Sequence, residues 1–332
     1  MKKLRILSIL DDFTYNTLKP ESDIELLSQK PFWYRLSQKI DFLLVESAWR
    51  GNNDVWRHKV AHYPNHPQRN NNALKKLVYW CKDHNIPTIF WNKEDPYHYD
   101  QFIESAKLFD YILTTDAISV SRYQVDAPNS QIAVAPFFIQ PQMHFSTSEA
   151  LLKRSVFMGT YQSNMHDQRT QWQDQTFLAA APYGLDLFNR HATPSMEYKF
   201  PYYDGDVNYY PPVPYPETPA TYRRYQQVLN VNTITDSPTM FSRRLIEVMA
   251  CGRLVISNPS QAIDHLFQDM CIQVDDFEAT QALFSQLQSG YTAEQQEMVA
   301  YAHAHVQQHY TAKAWLKSIL HTCNIDHPYL AS

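Results

Sequence analysis

Arg243, Arg244 and Glu247 lie within one helical turn of each other, inside the stretch LNVNTITDSPTMFSRRLIEVMACGRLVISN that runs from Leu229 to Asn258. Adjacent guanidinium groups suit phosphate oxygens, which they hold through charge-assisted, bidentate contacts. A carboxylate one turn further on is placed to accept both hydroxyls of a ribose. Ahead of the arginines, the backbone N–H groups of Ser237, Thr239, Met240 and Phe241 are expected at the positive end of a helix, where an anion is favoured. Cations at that end oppose the dipole, and a bound diphosphate would offset the repulsion. The alternative reading makes both arginines surface residues, one of them paired with Glu247 at i,i+3 or i,i+4.

These residues need a particular frame. Val228, Leu229 and Val231 read as a strand, and Thr235–Pro238 as a polar break. Asp236 or Ser237 is a fitting N-cap with Pro238 at the first helical position. Leu245, Ile246, Val248 and Met249 give the helix a buried face, Gly252 stops it, and Leu254–Ser257 follows as a short buried strand. The unit is strand–turn–helix–strand of a parallel sheet, whose ligand crevice lies at the carboxyl ends of the strands.

The first half repeats that rhythm. Strands are expected at 6–10, 41–45, 86–91, 111–114 and 132–136, and helical character at 24–40, 73–84, 101–109 and 118–123. Polar residues follow the strands: Asp11 and Asp12, Glu46 and Ser47, Asn92 to Asp95, Thr115 and Asp116. Topology should bring them to one edge of the sheet, although each could instead be a helix cap. Should the chemistry there be an inverting group transfer, Glu94, Asp95 and Asp12 are the candidates for its general base. A proline-interrupted stretch at 136–147 reads as the linker between halves. The second half opens on a strand at 155–158, the turn Gly159-Thr160-Tyr161 and a helix carrying Arg169. Arg190, after a strand-and-turn at 184–190, is placed to line a nucleotide pocket. Tyr198–Pro216 reads as a long loop, and 293–320 as helical.

Composition narrows the function. A chain of 332 residues is comfortable for two domains, and 44% hydrophobic with 19% charged residues fits a globular protein. A net charge of −5 argues against nucleic acid as the main partner. No apolar run approaches the ~20 residues of a membrane span. The short apolar start, broken by Asp11-Asp12, reads as a strand and not a signal peptide. Four scattered cysteines suggest reduced thiols and a cytoplasmic setting. Six glycines cannot spell GxGxxG or a phosphate loop, so dinucleotide dehydrogenases and P-loop kinases are poor readings.

The 229–258 stretch resembles the donor-binding core of GT-B glycosyltransferases, in particular the CgeB-like (spore maturation protein B-like) family, with its "N…SP..F..R.FE..A.G" pattern. VESAW at 45–49 and FWNKEDP at 90–96 resemble that family's N-terminal part. The resemblance implies an α/β GT-B fold: two Rossmann-like domains facing a cleft, with a C-terminal helix crossing back to the first. The expected domains are 1–140 for the acceptor, 141–310 for the donor, and 311–332 as terminal helix and tail. It implies a donor that is a nucleoside-diphosphate sugar, a UDP-sugar first among them, no other cofactor, and a hydroxyl acceptor such as a glycan or glycoprotein. The donor side would comprise Gly159, Tyr161, Arg169, Arg190, Asn232, Ser237, Thr239, Met240, Phe241, Arg243, Arg244 and Glu247, with Arg243 also stabilising leaving-group charge. Many retaining relatives carry a further glutamate where this chain has Thr239. A non-catalytic nucleotide-sugar-binding subunit and a GT-B-type epimerase are therefore the rival readings.

Two patterns look like metal sites. Asp204-Gly205-Asp206 spells DxD but reads as a turn. His58/His62 and His305/His309 have the i,i+4 spacing of zinc ligands on a helix, yet neither pair has a third ligand nearby, and both read as helix-face residues. No metal is expected.

Overall fold

The structure is a computed structural model, and it describes residues 3–28, 30–31, 39–149, 151–163 and 166–331. The chain divides into two compact units, one formed by 1–140 with 312–332 and the other by 141–311.

Unit 1 holds β1 (Leu4–Ile9), α1 (Asp12–Leu18), β2 (Ile24–Ser28), β3 (Phe42–Glu46), α2 (Asn72–Asp83), β4 (Thr88–Asn92), α3 (Tyr99–Ala106), β5 (Tyr111–Thr114), α4 (Ser119–Asp126) and β6 (Gln131–Val134). All pairs are parallel, in the order β2-β1-β3-β4-β5-β6. β3 and β4 are buried at every position, as apolar strands with helices on both faces must be. Leu74, Leu77, Val78 and Cys81 form the buried face of α2, as their spacing predicts. They pack with Leu43, Val45, Phe90 and Phe102 in the core of this unit.

The stretch from Ile24 departs from the expected helix. It is β2, an edge strand in register with β1 (Leu4↔Ile24 to Ser8↔Ser28), and Glu25 meets Arg5 across the pair at 3.0 Å. A short apolar run such as Ile24–Leu27 carries too few residues to fix its own period. The remainder of that expected helix, 32–38, lies outside the described residues.

Unit 2 holds β7 (Leu152–Gly159), α5 (Asp167–Ala180), β8 (Leu185–Asn189), β9 (Val207–Tyr210), α6 (Thr218–Arg224), β10 (Tyr225–Asn230), α7 (Arg243–Ala250), β11 (Leu254–Ser257), α8 (Gln261–Leu266), β12 (Ile272–Gln273), α9 (Phe277–Leu287) and α10 (Ala293–His309). Its sheet is again parallel, in the order β12-β11-β10-β7-β8-β9. The expected loop at 198–216 thus contains an edge strand. The helical stretch at 293–320 is two helices: α10 ends at His309, and α11 (Ala312–Thr322) belongs to unit 1, where Trp315 packs on Trp91 and Phe138.

α7 ends as its sequence dictates. Gly252 takes φ 66°, its N–H donates to Met249 O at 2.9 Å, and Arg253 N–H donates to Val248 O at 3.3 Å. That pairing is a Schellman motif. The start of α7 is a correction: the helix begins at Arg243 with Ser242 as N-cap, five residues after Pro238. Ser237 Oγ accepts from Thr239 N (3.3 Å) and Met240 N (3.0 Å), which closes a separate turn ahead of the helix.

Candidate functional site

In unit 2 the strand order reverses between β7 and β10, and ligands of such sheets lie beyond the carboxyl ends of the strands at that point. A pocket of ≈ 230 Å³ opens there. Thr160 lines it from beyond β7, Arg190 from beyond β8, and Val231 to Ile234 from beyond β10. Met240, Phe241 and Ser242 line it ahead of α7, with Arg244 from α7 and Arg169 from α5.

Three guanidinium groups share this space. Arg169 Nη2 donates to Thr160 O at 2.8 Å, while its buried Nε has no acceptor among the described residues. Arg244 Nη2 donates to Met158 O at 2.5 Å, and its Nε and Nη1 are likewise buried without acceptors among the described residues. Burial, and then the charges of Arg244 and Arg190, lower the pKa of Arg169 to about 10, so it remains charged at neutral pH. Gly159 makes the arrangement possible. A Cβ there would stand 2.6 Å from Arg244 Nη2 and 2.8 Å from Phe157 Cζ, and the Arg244 guanidinium lies 4.6 Å over the Phe157 ring. Buried cations with unmet donors are costly, and an anion with several oxygens offsets that cost.

The alternative in which Arg169 pairs with Asp167 or Asp174 does not occur. Asp174 instead accepts from the hydroxyls of Tyr161 (3.2 Å) and Tyr203 (2.7 Å). Tyr161 itself sits in the core of unit 2, away from the pocket lining, and burial with Asp174 raises its phenol to about 12. Arg243 occupies the first position of α7 and does not line the pocket; its neighbour Arg244 does.

Asn232 lines the pocket while its side chain braces the frame. Its Oδ1 accepts from Ser242 N at 2.7 Å, and its Nδ2 donates to Ser260 Oγ at 3.2 Å. The turn amides are less available than the sequence suggests, because Thr239 N and Met240 N are directed at Ser237 Oγ and Ser242 N at Asn232. Glu247 is buried outside the pocket lining, where its Oε1 accepts from Tyr215 Oη at 2.8 Å and lies 3.9 Å from His144 Nε2.

In unit 1 the order reverses between β1 and β3, and the polar residues expected after the strands do gather at that edge. Lys93 Nζ lies 3.0 Å from Glu46 Oε1 and 3.7 Å from Asp11 Oδ2. Asp11 also accepts from the amides of Trp49, Arg50 and Gly51 at 3.3, 3.3 and 2.7 Å. Sequence reasoning missed Lys93, since its neighbours Glu94 and Asp95 look like its partners; the pleat sends it to another strand instead.

Of the three candidate bases, Asp95 is the clear correction. It is 1% exposed and accepts from Asn92 Nδ2 (2.7 Å), Thr114 Oγ1 (2.7 Å) and Tyr123 Oη (3.3 Å), so no substrate can reach it. Asp12 is exposed and accepts from Asn52 Nδ2 at 2.7 Å. Glu94 is partly exposed, with His98 Nε2 3.9 Å away. Asp116, expected as a cap, accepts from Ile118 N at 3.2 Å and Ser119 N at 3.0 Å, while the N-cap position of α4 itself is Ile118.

Other chemistry finds little support. The four cysteines are free and buried, and burial pushes each thiol up to about 12, which makes them poor nucleophiles. Asp206 of the DxD pattern is bonded to Arg154. His58 lies in a turn and His62 in irregular chain, neither on a helix face, whereas His305 and His309 do share α10. Among the described residues no group of three His, Cys, Asp or Glu side chains is placed to hold a metal, and no helix is long and apolar enough to cross a membrane.

Two Rossmann-like α/β units, each with a parallel six-stranded sheet, define the GT-B fold of glycosyltransferases. Residues 170–321, most of unit 2 together with α11 as far as His321, match the family model described as glycosyl transferase-like. Solved structures share the fold at low identity. Anabaena HepE in complex with UDP-glucose has a TM-score of 0.60 at 13% identity, over 96% of this chain and 99% of that one. A glycosyltransferase from Rickettsia africae has a TM-score of 0.59 at 10% identity, over 98% of each. Sucrose-phosphate synthase from Thermosynechococcus elongatus has a TM-score of 0.51 at 12% identity, over 88% of this chain and 75% of that one. No curated protein matches the sequence. The CgeB-like subfamily stays an expectation from resemblance.

Proposed function

We propose that the protein transfers a glycosyl group from a nucleoside-diphosphate sugar, a UDP-sugar by preference, to a hydroxyl acceptor, with retention and without a metal ion. The observation that carries the reading is the trio Arg169, Arg190 and Arg244 at the β7/β10 switch point, with donors of two of them unmet. The diphosphate occupies that pocket. As the anomeric C–O bond breaks, its electrons pass to the β-phosphate oxygen, and fixed guanidinium groups stabilise the charge that develops there. With retention, the acceptor oxygen bonds to the anomeric carbon on the face the diphosphate leaves and gives its proton to the departing β-phosphate oxygen. Glu247 holds the ribose, which it can do once Tyr215 yields. Unit 1 presents the acceptor from the carboxyl edge of its sheet, with Glu94 beside it. The fold similarity to HepE, solved with UDP-glucose, supports the choice of donor.

A second reading, a nucleotide-sugar-binding subunit without turnover, is favoured by Thr239 where many retaining relatives carry a glutamate. Calorimetric titration of UDP into the wild type and Arg244→Ala separates the cases when run beside a transfer assay. Loss of one or two charge-assisted bonds predicts affinity lower by about 1.5–3 kcal/mol. Unchanged UDP affinity in folded Arg244→Ala sinks the diphosphate assignment. UDP binding without transfer to any acceptor favours the subunit. Transfer that stops in chelator and returns with manganese overturns metal independence.

A further inference from the structure

A second cavity, of ≈ 500 Å³, lies in unit 1 within the long connection from β3 to α2. Arg57, His58, Lys59, Arg69 and Lys76 line it, with the amide side chains of Gln68, Asn70 and Asn72. Between Arg50 and Lys76 the chain carries six cations (Arg50, Arg57, Lys59, Arg69, Lys75, Lys76) against one carboxylate, Asp54, in a protein whose net charge is −5. That one carboxylate lies 3.5 Å from Arg50 and 3.9 Å from Arg57. Lys59, Arg69 and Lys76 have no carboxylate within ion-pair distance among the described residues. Lys59 Nζ donates to Arg57 O at 3.2 Å, and Arg69 lies 5.5 Å over the Tyr63 ring.

Two further observations point to a missing anion. His58 Nδ1 is buried with no hydrogen-bond partner among the described residues, its ring held edge-on to Tyr63 at 5.2 Å. α2, twelve residues long, has no acidic side chain in its first turn, while Lys75 and Lys76 stand near its positive end. Cations there oppose the helix dipole, and a bound anion reverses the sign of that interaction. The field is felt inside the cluster too: burial first, then Arg69, Arg57 and Lys59, hold the His58 imidazole below its usual value. The loop leaves the carboxyl end of β3, the ligand edge of the sheet, and Asp11 ties its start down through the amides of Trp49 to Gly51.

We propose that this pocket binds an anionic saccharide, one bearing carboxylate, sulfate or phosphate, as the acceptor of the transfer reaction. Its volume suits one or two sugar units. Three neutral amides beside the cations match a ligand that carries hydroxyls as well as charge. The cations surround one cavity and do not form a stripe, which favours a compact anionic group over a nucleic-acid backbone. The identity of the ligand as acceptor rests on the glycosyl-transfer reading above; its charge does not.

Calorimetry on the full chain tests this with a uronic-acid tetrasaccharide, a short poly(glycerol phosphate), inorganic phosphate, neutral maltotetraose and a single-stranded DNA oligomer. Binding of either anionic oligomer is expected, with affinity about 10- to 100-fold lower in Arg69→Gln/Lys76→Gln and UDP affinity unchanged. The uronic-acid and poly(glycerol phosphate) arms tell carboxylate from phosphate sources. Maltotetraose binding as tight as the anionic oligomers, or anionic binding that the double variant leaves intact, overturns the pocket. Tighter DNA binding that the variant abolishes overturns the saccharide. Lys59→Gln, an isolated change at a half-buried lysine, gives the same reading if the double variant fails to fold. Because UDP is titrated separately, loss of the donor reading and loss of this pocket are distinguishable.

Discussion

Asp95 shows how burial and hydrogen bonding compete at one residue. Donors from Asn92, Thr114 and Tyr123 favour its carboxylate, but burial outweighs them and raises the carboxyl to about 7. Its unfolded value is about 3.9. Below that value both states hold the proton. Between about 4 and about 7 only the folded state holds it, so stability falls as pH rises through this window and levels off above it. The contribution is on the order of a few kcal/mol. Urea denaturation at pH 4.5 and pH 8 is therefore expected to show a larger drop for the wild type than for Asp95→Asn. Parallel profiles would show that Asp95 ionises normally in the fold. The same residue explains why FWNKEDP misleads as a string: of two adjacent carboxylates one is locked under the strand ends, and only Glu94 is left partly exposed.

At the scale of elements, the β7 turn and α7 act as one device. Gly159 has ordinary backbone angles, so its value lies in space and not in conformational freedom. Gly159→Ala puts a methyl carbon against Arg244 and Phe157, and we expect it to cost about 1–3 kcal/mol of stability. UDP affinity should fall with it, because the guanidinium must shift; thermal melting and UDP titration on one sample check both. A variant with wild-type affinity would detach Gly159 from the site. The sequence made this device partly legible. Apolar periodicity located α2 and the buried face of α7, and Gly252 marked the end of α7, because those signals are local. The start of α7 was not legible, since Ser237 closes its turn and Asn232 caps the helix from ten residues away. β2 and β9 were missed for a related reason. Both are edge strands only partly buried, so neither presents an apolar run long enough to read as a central strand. Arg169 and Arg190 were legible as cations near the turn, but their meeting with Arg244 depends on the strand order.

Over the whole molecule, the chain builds unit 1, then unit 2, and finishes unit 1 with its last helix. Trp315 is 4% exposed, with ring centroids 4.9 Å from Trp91 and 4.5 Å from Phe138. Trp315→Ala is expected to cost unit 1 about 3–5 kcal/mol while leaving the UDP affinity proposed for unit 2 at the wild-type level; equal losses in both would show that the units do not melt independently. Glu94 asks the complementary question of function. Its carboxylate accepts no backbone amide among the described residues, and its ion pair with His98 at 3.9 Å is exposed enough to contribute about 1 kcal/mol or less. A structural role is therefore small, and the buried work at this turn falls to Asp95. As the group that orients the acceptor hydroxyl, or as the base were the reaction inverting, Glu94 would contribute roughly 10²–10⁴-fold to the transfer rate. Glu94→Gln should show that loss with UDP affinity and melting temperature close to wild type, all measured on one preparation. A lower melting temperature with normal turnover would return Glu94 to the fold and leave the acceptor edge proposed for unit 1 without its principal residue.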